Sequence, residues 1–233
     1  MVIGDIHGYL CPLRALIDTV APQKNDLLIF LGDYVDKGPD VKGVIDYLID
    51  LRETSNAVFL RGNHDQMMID AYREPAKSAI WSCLAGEQPL ASYGNDSSIE
   101  LLKKVPEDHW AFLETGCRDY YETPEFIFVH GGIQPHVSPA DEDPERLQWM
   151  TLSLAEPHAS GRTVICGHSR QPSGKITDLG HTICVDTGIT HGGWLSCLAL
   201  DTFQYWQANA EGHVRSGRIR ESNAGIPPMN QED

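Results

Sequence analysis

The sequence predicts an α/β fold, with a sheet covered on both faces and strands joined by helical crossovers. Three observations lead there. The apolar runs are short, rich in Val, Ile, Leu and Phe, and do not alternate with polar residues, which is the signature of buried strands. Segments with helical spacing lie between them. Five of the runs stop at a glycine or pass straight into a residue that can bind a metal, as strand ends lining a site would.

The elements follow in order. VI enters Gly4-Asp5-Ile6-His7-Gly8, and residues 9–20 then place Leu13, Leu16, Ile17 and Val20 at helical spacing. LLIFL runs into Gly32-Asp33. Residues 40–53 repeat the helical pattern with Val41, Val44, Ile45, Leu48 and Leu51, and Asp40 is placed to cap after Pro39. AVFL reaches Arg61-Gly62-Asn63-His64-Asp65. The first half therefore reads as successive right-handed crossover units. The stretch 66–115 carries no strand signal and predicts a helical insertion, with segments near 66–73, 76–84, 97–104 and 106–114 split by Pro75, Pro89 and Pro106. Such an insertion could cap the site and select substrate. RDYYE and FIFV flank Thr123-Pro124-Glu125 and predict a hairpin ending at His130-Gly131-Gly132. After a loop-rich stretch over 134–161, TVIC meets Gly167-His168. TICVDTG, WLSCLALD and FQYWQAN predict antiparallel strands of a second sheet. Low apolar content predicts a mobile tail over 210–233, leaving 1–209 as the globular domain.

Composition narrows the function. The 233 residues are 41% hydrophobic, enough for a full core. Mean hydropathy is −0.29 and no apolar stretch approaches a membrane-helix length. The net charge of −15 argues against duplex nucleic acid as a partner, since phosphate backbones are bound by clustered Lys and Arg. Six cysteines without CxxC pairing read as reduced structural thiols of a cytoplasmic protein. Cys166 beside Gly167-His168 reads as a small buried hydrophobe rather than a ligand. The first motif begins at residue 4, which leaves no room for a signal peptide, although a first strand this short also suits a start further upstream.

The junction residues form an Asp, Asp, Asn, His, His, His set: Asp5, His7, Asp33, Asn63, His130 and His168. A single Asp or His in a loop is most often structural, but six in sequence at strand ends are hard to explain as packing. Oxygen and nitrogen ligands without thiolate suit two divalent ions, with manganese expected and iron or zinc as alternatives. A carboxylate shared by two ions creates a site for a hydroxide nucleophile and for phosphate oxygens, and Asp33 is the central candidate. His64, next to a ligand, can act as an acid with Asp36 orienting it. Lys37 and Arg61, with Asn63, are candidates to hold phosphate oxygens. His191 in the THGG turn is a candidate to stand behind the ligands. His109, His136, His158, His181 and His213 have no partner spacing and read as exposed; Tyr72, Trp81 and Trp110 read as core.

At these residues the chain resembles the calcineurin-like metallophosphoesterases of phosphoprotein phosphatase type. The matching motifs are GDIHG (4–8), GDYVDKG (32–38), GNHD (62–65), HGG (130–132) and GH (167–168), with ICVDTGITHGG (183–193) similar to the closing strand of bacterial and phage members. The resemblance spans about residues 2–206. It implies a four-layer α/β/β/α sandwich with a dimetal site at the C-terminal edge of the sheets. It implies Asp5 and His7 on the first metal, Asp33 bridging, Asn63, His130 and His168 on the second, and His64 as general acid paired to Asp36.

Three positions depart from the family pattern. Lys37 stands where the family has Arg, which keeps the charge and loses the bidentate fork. Asp65 replaces Glu. Related bacterial phosphatases carry an Arg two residues after a Trp, whereas Trp149 here is followed by Met150 and Thr151, leaving Arg146, Arg162 or Arg170 as substitutes. The resemblance implies a phosphoprotein or small phosphoester substrate. A Ser/Thr protein phosphatase is the first reading, with hydroxide attacking phosphorus and His64 protonating the leaving alkoxide. A symmetrical dinucleoside tetraphosphate hydrolase is the second; those enzymes share GNHD and DTG-x-x-x-GG but generally have a small residue at the Asp36 position. A non-catalytic binding scaffold is the third, and should have lost ligands that this chain keeps.

Overall fold

The computed structural model describes residues 1–85, 91–94 and 99–220. The two-residue period of a strand decides where each side chain goes. Ile3, Phe30 and Phe59 enter one apolar core, while Val2, Ile29, Leu31 and Leu60 enter another on the opposite face. Both faces are covered, which is why these runs lack alternation in the sequence.

β1 (Val2–Ile3), β2 (Leu27–Phe30) and β3 (Asn56–Phe59) are parallel neighbours. A second sheet holds β4 (Tyr120–Glu122), β5 (Phe126–Val129), β6 (Thr163–Cys166), β7 (Thr177–Asp178) and β8 (Thr182–Cys184), in the order β4-β5-β6-β8-β7. β4 and β5 pair antiparallel across the predicted hairpin, and β5, β6 and β8 run parallel. The chain then returns to the first sheet with β9 (Leu195–Leu198), β10 (Gln204–Ala208) and β11 (Val214–Arg218). β9 pairs antiparallel with β1, giving the order β11-β10-β9-β1-β2-β3.

Helices α1 (Leu10–Val20) and α2 (Val41–Thr54) cover the first sheet with Leu13, Leu16, Ile17, Val44, Ile45 and Leu48. Asp40 caps α2 as expected, its Oδ1 accepting the Gly43 N–H at 2.9 Å. Phe128, Ile165 and Ile183 face the core between the sheets. Ile127, Val129 and Val164 face outward, under Leu147 of α6 (Pro144–Trp149).

Three expectations change. The closing strands divide: β8 joins the second sheet, but β9 and β10 pair in the first, because the edge of β1 opposite β2 is open to an antiparallel partner. Val214–Arg218 is an edge strand rather than tail; its largely exposed side chains hide it from apolar-run reading. Residues 221–233 lie outside the described residues. His109 and His158 are buried rather than exposed, each with both ring nitrogens bonded, to Tyr93 and Asp46 and to Ser160 and Val137.

Helix α3 (Asn63–Arg73) opens on the GNHD motif and runs into the stretch 66–115, which also holds α4 (Ser78–Ala85) and α5 (Glu107–Ala111). Met68, Trp81, Leu101, Trp110 and Phe112 join the same core as α1 and α2. Among the described residues no helix is long and apolar enough to cross a membrane.

Candidate metal centre

The parallel strands of both sheets deliver their C-terminal ends to one edge. Asp5 and His7 follow β1, Asp33 follows β2, Asn63 opens α3 after β3, His130 follows β5 and His168 follows β6. Ligand-capable atoms of His7, Asp33 and His64 lie within 4.8 Å of one another, and so do those of Asp5, Asp33 and His130. Asp33 is common to both groups. Its Oδ2 is 3.4 Å from His7 Nε2 and its Oδ1 is 3.4 Å from His130 Nε2. Asn63 Oδ1 lies 3.0 Å from both His130 Nε2 and His168 Nδ1.

The donor chemistry fits divalent cations. His7 Nδ1 and His130 Nδ1 face the carbonyls of Val35 and Leu31 at 2.9 and 2.8 Å, which turns each Nε2 inward. Burial pushes His7 down to about 4 against the pull of Asp33, and burial with His130 pushes His168 down to about 4. Both are neutral at pH 7, as ligation requires. Burial, Asp186 and Asp33 lift the Asp5 carboxyl well above the usual range. Burial would lift Asp33 too, but His130 and His64 hold it well below. Buried carboxylate, amide and imidazole donors converge on one edge without a thiolate among them.

This clustering is built on unusual backbone. Among the described residues, seven non-glycine residues have positive φ, and five of them are His7, Asp33, Asp36, Lys37 and His168. Such conformations persist only where the surroundings enforce them. Asp65 is one enforcer: its Oδ2 accepts N–H groups from Asp33 and Gly62 at 2.8 and 2.9 Å, and its Oδ1 those of Tyr34 and Val35 at 2.9 and 3.3 Å. Asp5 accepts the His168 N–H at 3.1 Å on both oxygens. A Cβ at Gly62 or Gly167 would strike the Asp33 or Asp5 carboxylate, so only glycine admits these approaches.

His64 stands beside the cluster with its Nδ1 2.7 Å from Asp36 Oδ2. Burial works against a charged His64, yet Asp33 and Asp36 outweigh it and hold the imidazole above its ordinary value. Asp36 is itself fully buried. The Trp81 indole N–H of α4 donates to it, 3.2 Å from each oxygen. Trp81 reads as plain core in the sequence, and no local signal links it to Asp36.

The remaining candidates separate. Arg61 uses all its N–H groups on protein acceptors: Nε on Leu113 O, Nη2 on Glu114 O and Cys117 O, and Nη1 on Asp119 and Gln66 at 3.4 and 3.5 Å. Only the long Nη1 bonds lie where a cavity of about 680 Å³ opens beside Asn63, with Trp149 on its wall. Lys37 is exposed, with its charge acting on His64. His191 is exposed, its Nδ1 2.7 Å from Thr190 Oγ1, and the structure does not join it to the cluster among the described residues. Of the arginines considered near Thr151, Arg146 pairs with Glu142 and Arg162 with Glu122, while Arg170 acts on Asp186. Asp186 is the residue the sequence reading missed. It follows β8 as Asp33 follows β2, is buried, and is pushed up to about 6 by burial and the Asp33 charge. TICVDTG carries the same signal as the other five junctions, so the pattern could have found it.

The chain is similar to known proteins along most of its length. The family model of calcineurin-like phosphoesterases matches residues 1–195. Serine/threonine-protein phosphatase 1 of Salmonella typhimurium is 37% identical over 87 residues, 37% of this chain and 38% of that protein, so the match spans well under half of the relative. The asymmetrical bis(5′-nucleosyl)-tetraphosphatase PrpE of Halalkalibacterium halodurans is 23% identical over 231 residues, 88% of this chain and 91% of the relative. A solved structure of a candidate diadenosine tetraphosphatase superposes with a TM-score of 0.63 at 21% identity, covering 96% of this chain and 93% of the other, a likeness of fold alone.

Proposed function

The chain belongs to the calcineurin-like phosphoesterases, metal-dependent hydrolases of phosphoesters, and on that premise we propose that it is a Ser/Thr protein phosphatase with His64 as general acid. The observation that carries this reading is the His64–Asp36 pair at 2.7 Å. Asp36 holds the Nδ1 side of the ring, which leaves Nε2 to give its proton to the serine or threonine oxygen. The P–O bond breaks and its electron pair stays on that oxygen. An alkoxide is a poor leaving group, so such proton transfer contributes roughly 10²–10⁴ in rate. A nucleotide phosphate leaves without that help.

Asp5, His7 and Asp33 would hold one divalent cation, and Asp33, Asn63, His130 and His168 the other, with manganese suiting the donor set. When bound, the pair supplies Lewis-acid stabilisation of phosphoryl oxygens and a nucleophile near neutral pH. Asn63, Lys37 and Arg61 would hold phosphoryl oxygens, Arg61 by exchanging its long bonds to Gln66 and Asp119. The cavity beside Asn63 suits the peptide flanking the phosphorylated residue, with Trp149, Met67 and Pro144 as its apolar surface.

A second reading, dinucleoside tetraphosphate hydrolysis, is favoured by the tetraphosphatase relative that aligns with 88% of the chain. The test is a parallel assay of manganese-loaded protein on phosphoserine peptides and on diadenosine tetraphosphate, with products identified. Faster turnover of the peptide is expected. A strong preference for the dinucleotide would reverse the ranking, and its products would show which phosphate is attacked.

A further inference from the structure

We infer that Trp81 is a positioning residue for the proposed reaction: its indole N–H fixes the Asp36 carboxylate against His64 and ties the acid to helix α4. The inference rests on the general-acid reading of His64.

Asp36 has no exposed surface, and a buried carboxylate is tolerated only when its oxygens are occupied. Its occupants include His64 Nδ1 at 2.7 Å and Trp81 Nε1 at 3.2 Å from each oxygen. A donor shared by both oxygens resists rotation of the carboxylate plane, so Oδ2 stays aimed at the imidazole. Asp36 also sits at φ +69°, a conformation that a non-glycine residue keeps only where its surroundings hold it. A core tryptophan needing any acceptor could have used a backbone carbonyl. This one spans 45 residues to reach the group that orients the acid. Ring and N–H thus serve different ends: the ring belongs to the main apolar core, and the N–H sets the dyad.

Trp81→Phe keeps the ring and removes the donor. On a phosphoserine peptide kcat is expected to fall roughly 5–30-fold, a partial loss of acid catalysis. On p-nitrophenyl phosphate, whose leaving group needs little protonation, the fall is expected to stay under about threefold, with KM unchanged on both. In an Asp36→Ala background the same change should cost nothing more. In metal-free protein the Trp81 indole N–H resonance should move upfield on Asp36→Ala, a readout that does not depend on the Trp81 variant folding. Equal losses on both substrates, full additivity with Asp36→Ala, or an unmoved indole resonance would each overturn the inference. His64→Asn separates the levels. If it too shows no leaving-group bias, the acid reading falls and takes this inference with it; if it shows the bias and Trp81→Phe does not, this inference falls alone.

Discussion

The Asp65 carboxylate holds the backbone N–H of Asp33 at 2.8 Å, so a residue outside the ligand set fixes the one carboxylate common to both clusters. The same carboxylate also takes the N–H groups of Gly62, Tyr34 and Val35. Asp65→Asn leaves one acceptor oxygen and turns an amide NH₂ toward buried donors. A stability loss of about 2–6 kcal/mol is expected, since two N–H groups lose a partner at about 1–3 kcal/mol each. Metal affinity should fall with it as the Asp33 turn relaxes. Denaturant melts with and without manganese measure both, and a variant as stable as the parent would count against the clamp.

How much of this was legible beforehand depends on the range of the interaction. α1 and α2, the parallel first strands and the junction residues rest on local spacing, and the sequence carries them. Asp186 was legible too, since Val185-Asp186 repeats the run-then-ligand pattern. The Trp81–Asp36 bond and the burial of His109 by Tyr93 and Asp46 join residues far apart in the chain, where periodicity carries no information. The sheet membership of β9 was hidden for the same reason: its strand pattern says nothing about which open edge it meets.

Asp33→Asn tests the bridge. An amide presents one neutral oxygen where the carboxylate offers two charged ones, facing His7 and His130. Tight metal binding is expected to drop from two ions to at most one, read by equilibrium dialysis with elemental analysis. Retention of two tightly held ions in this variant would sink the bridging role.

Metal loading should release a proton at neutral pH. Burial opposes a charge on His130, yet Asp33 and Asp5 hold it up to about 10, so it is protonated at pH 7 in the metal-free protein. His7 and His168, at about 4, are already neutral there. A proton competes with metal at His130 but not at the other two, so affinity should climb as pH rises from 7 toward 10. Calorimetry in buffers of different ionisation enthalpy counts the protons, and His130→Gln should remove one. No release at pH 7 contradicts the assignment.

Chelation should also destabilise the fold, because buried carboxylates lose the cations that offset them. At a metal concentration 100 times Kd, binding adds about 2.7 kcal/mol, which for a domain of this size is a Tm shift of roughly 5–11 °C. A melting curve indifferent to chelator and manganese would mean that metal binds nowhere that matters to folding.

The phosphate grip offers the opposite kind of test, a gain. Arg61 is committed to five protein acceptors, and Lys77, the other cation lining the cavity, is paired with Asp70 and Glu74. Thr151 is exposed, its hydroxyl 2.9 Å from that of Ser153, and lies two residues past Trp149, whose ring meets His168 edge-on at 5.9 Å between centroids. A guanidinium reaching from this position would approach the cluster from the His168 side with free N–H groups. Thr151→Arg is therefore expected to lower KM for phosphopeptide and to raise kcat/KM by roughly 3–10-fold, the yield of one charge-assisted bidentate contact partly exposed to water. Thr151→Lys should recover less, because a point charge lacks the fork. Inhibition by inorganic phosphate should tighten in parallel, which separates a new phosphate contact from a change in peptide docking. If Thr151→Arg leaves both KM and the phosphate inhibition constant where they are, the weakness of the grip does not lie at this position.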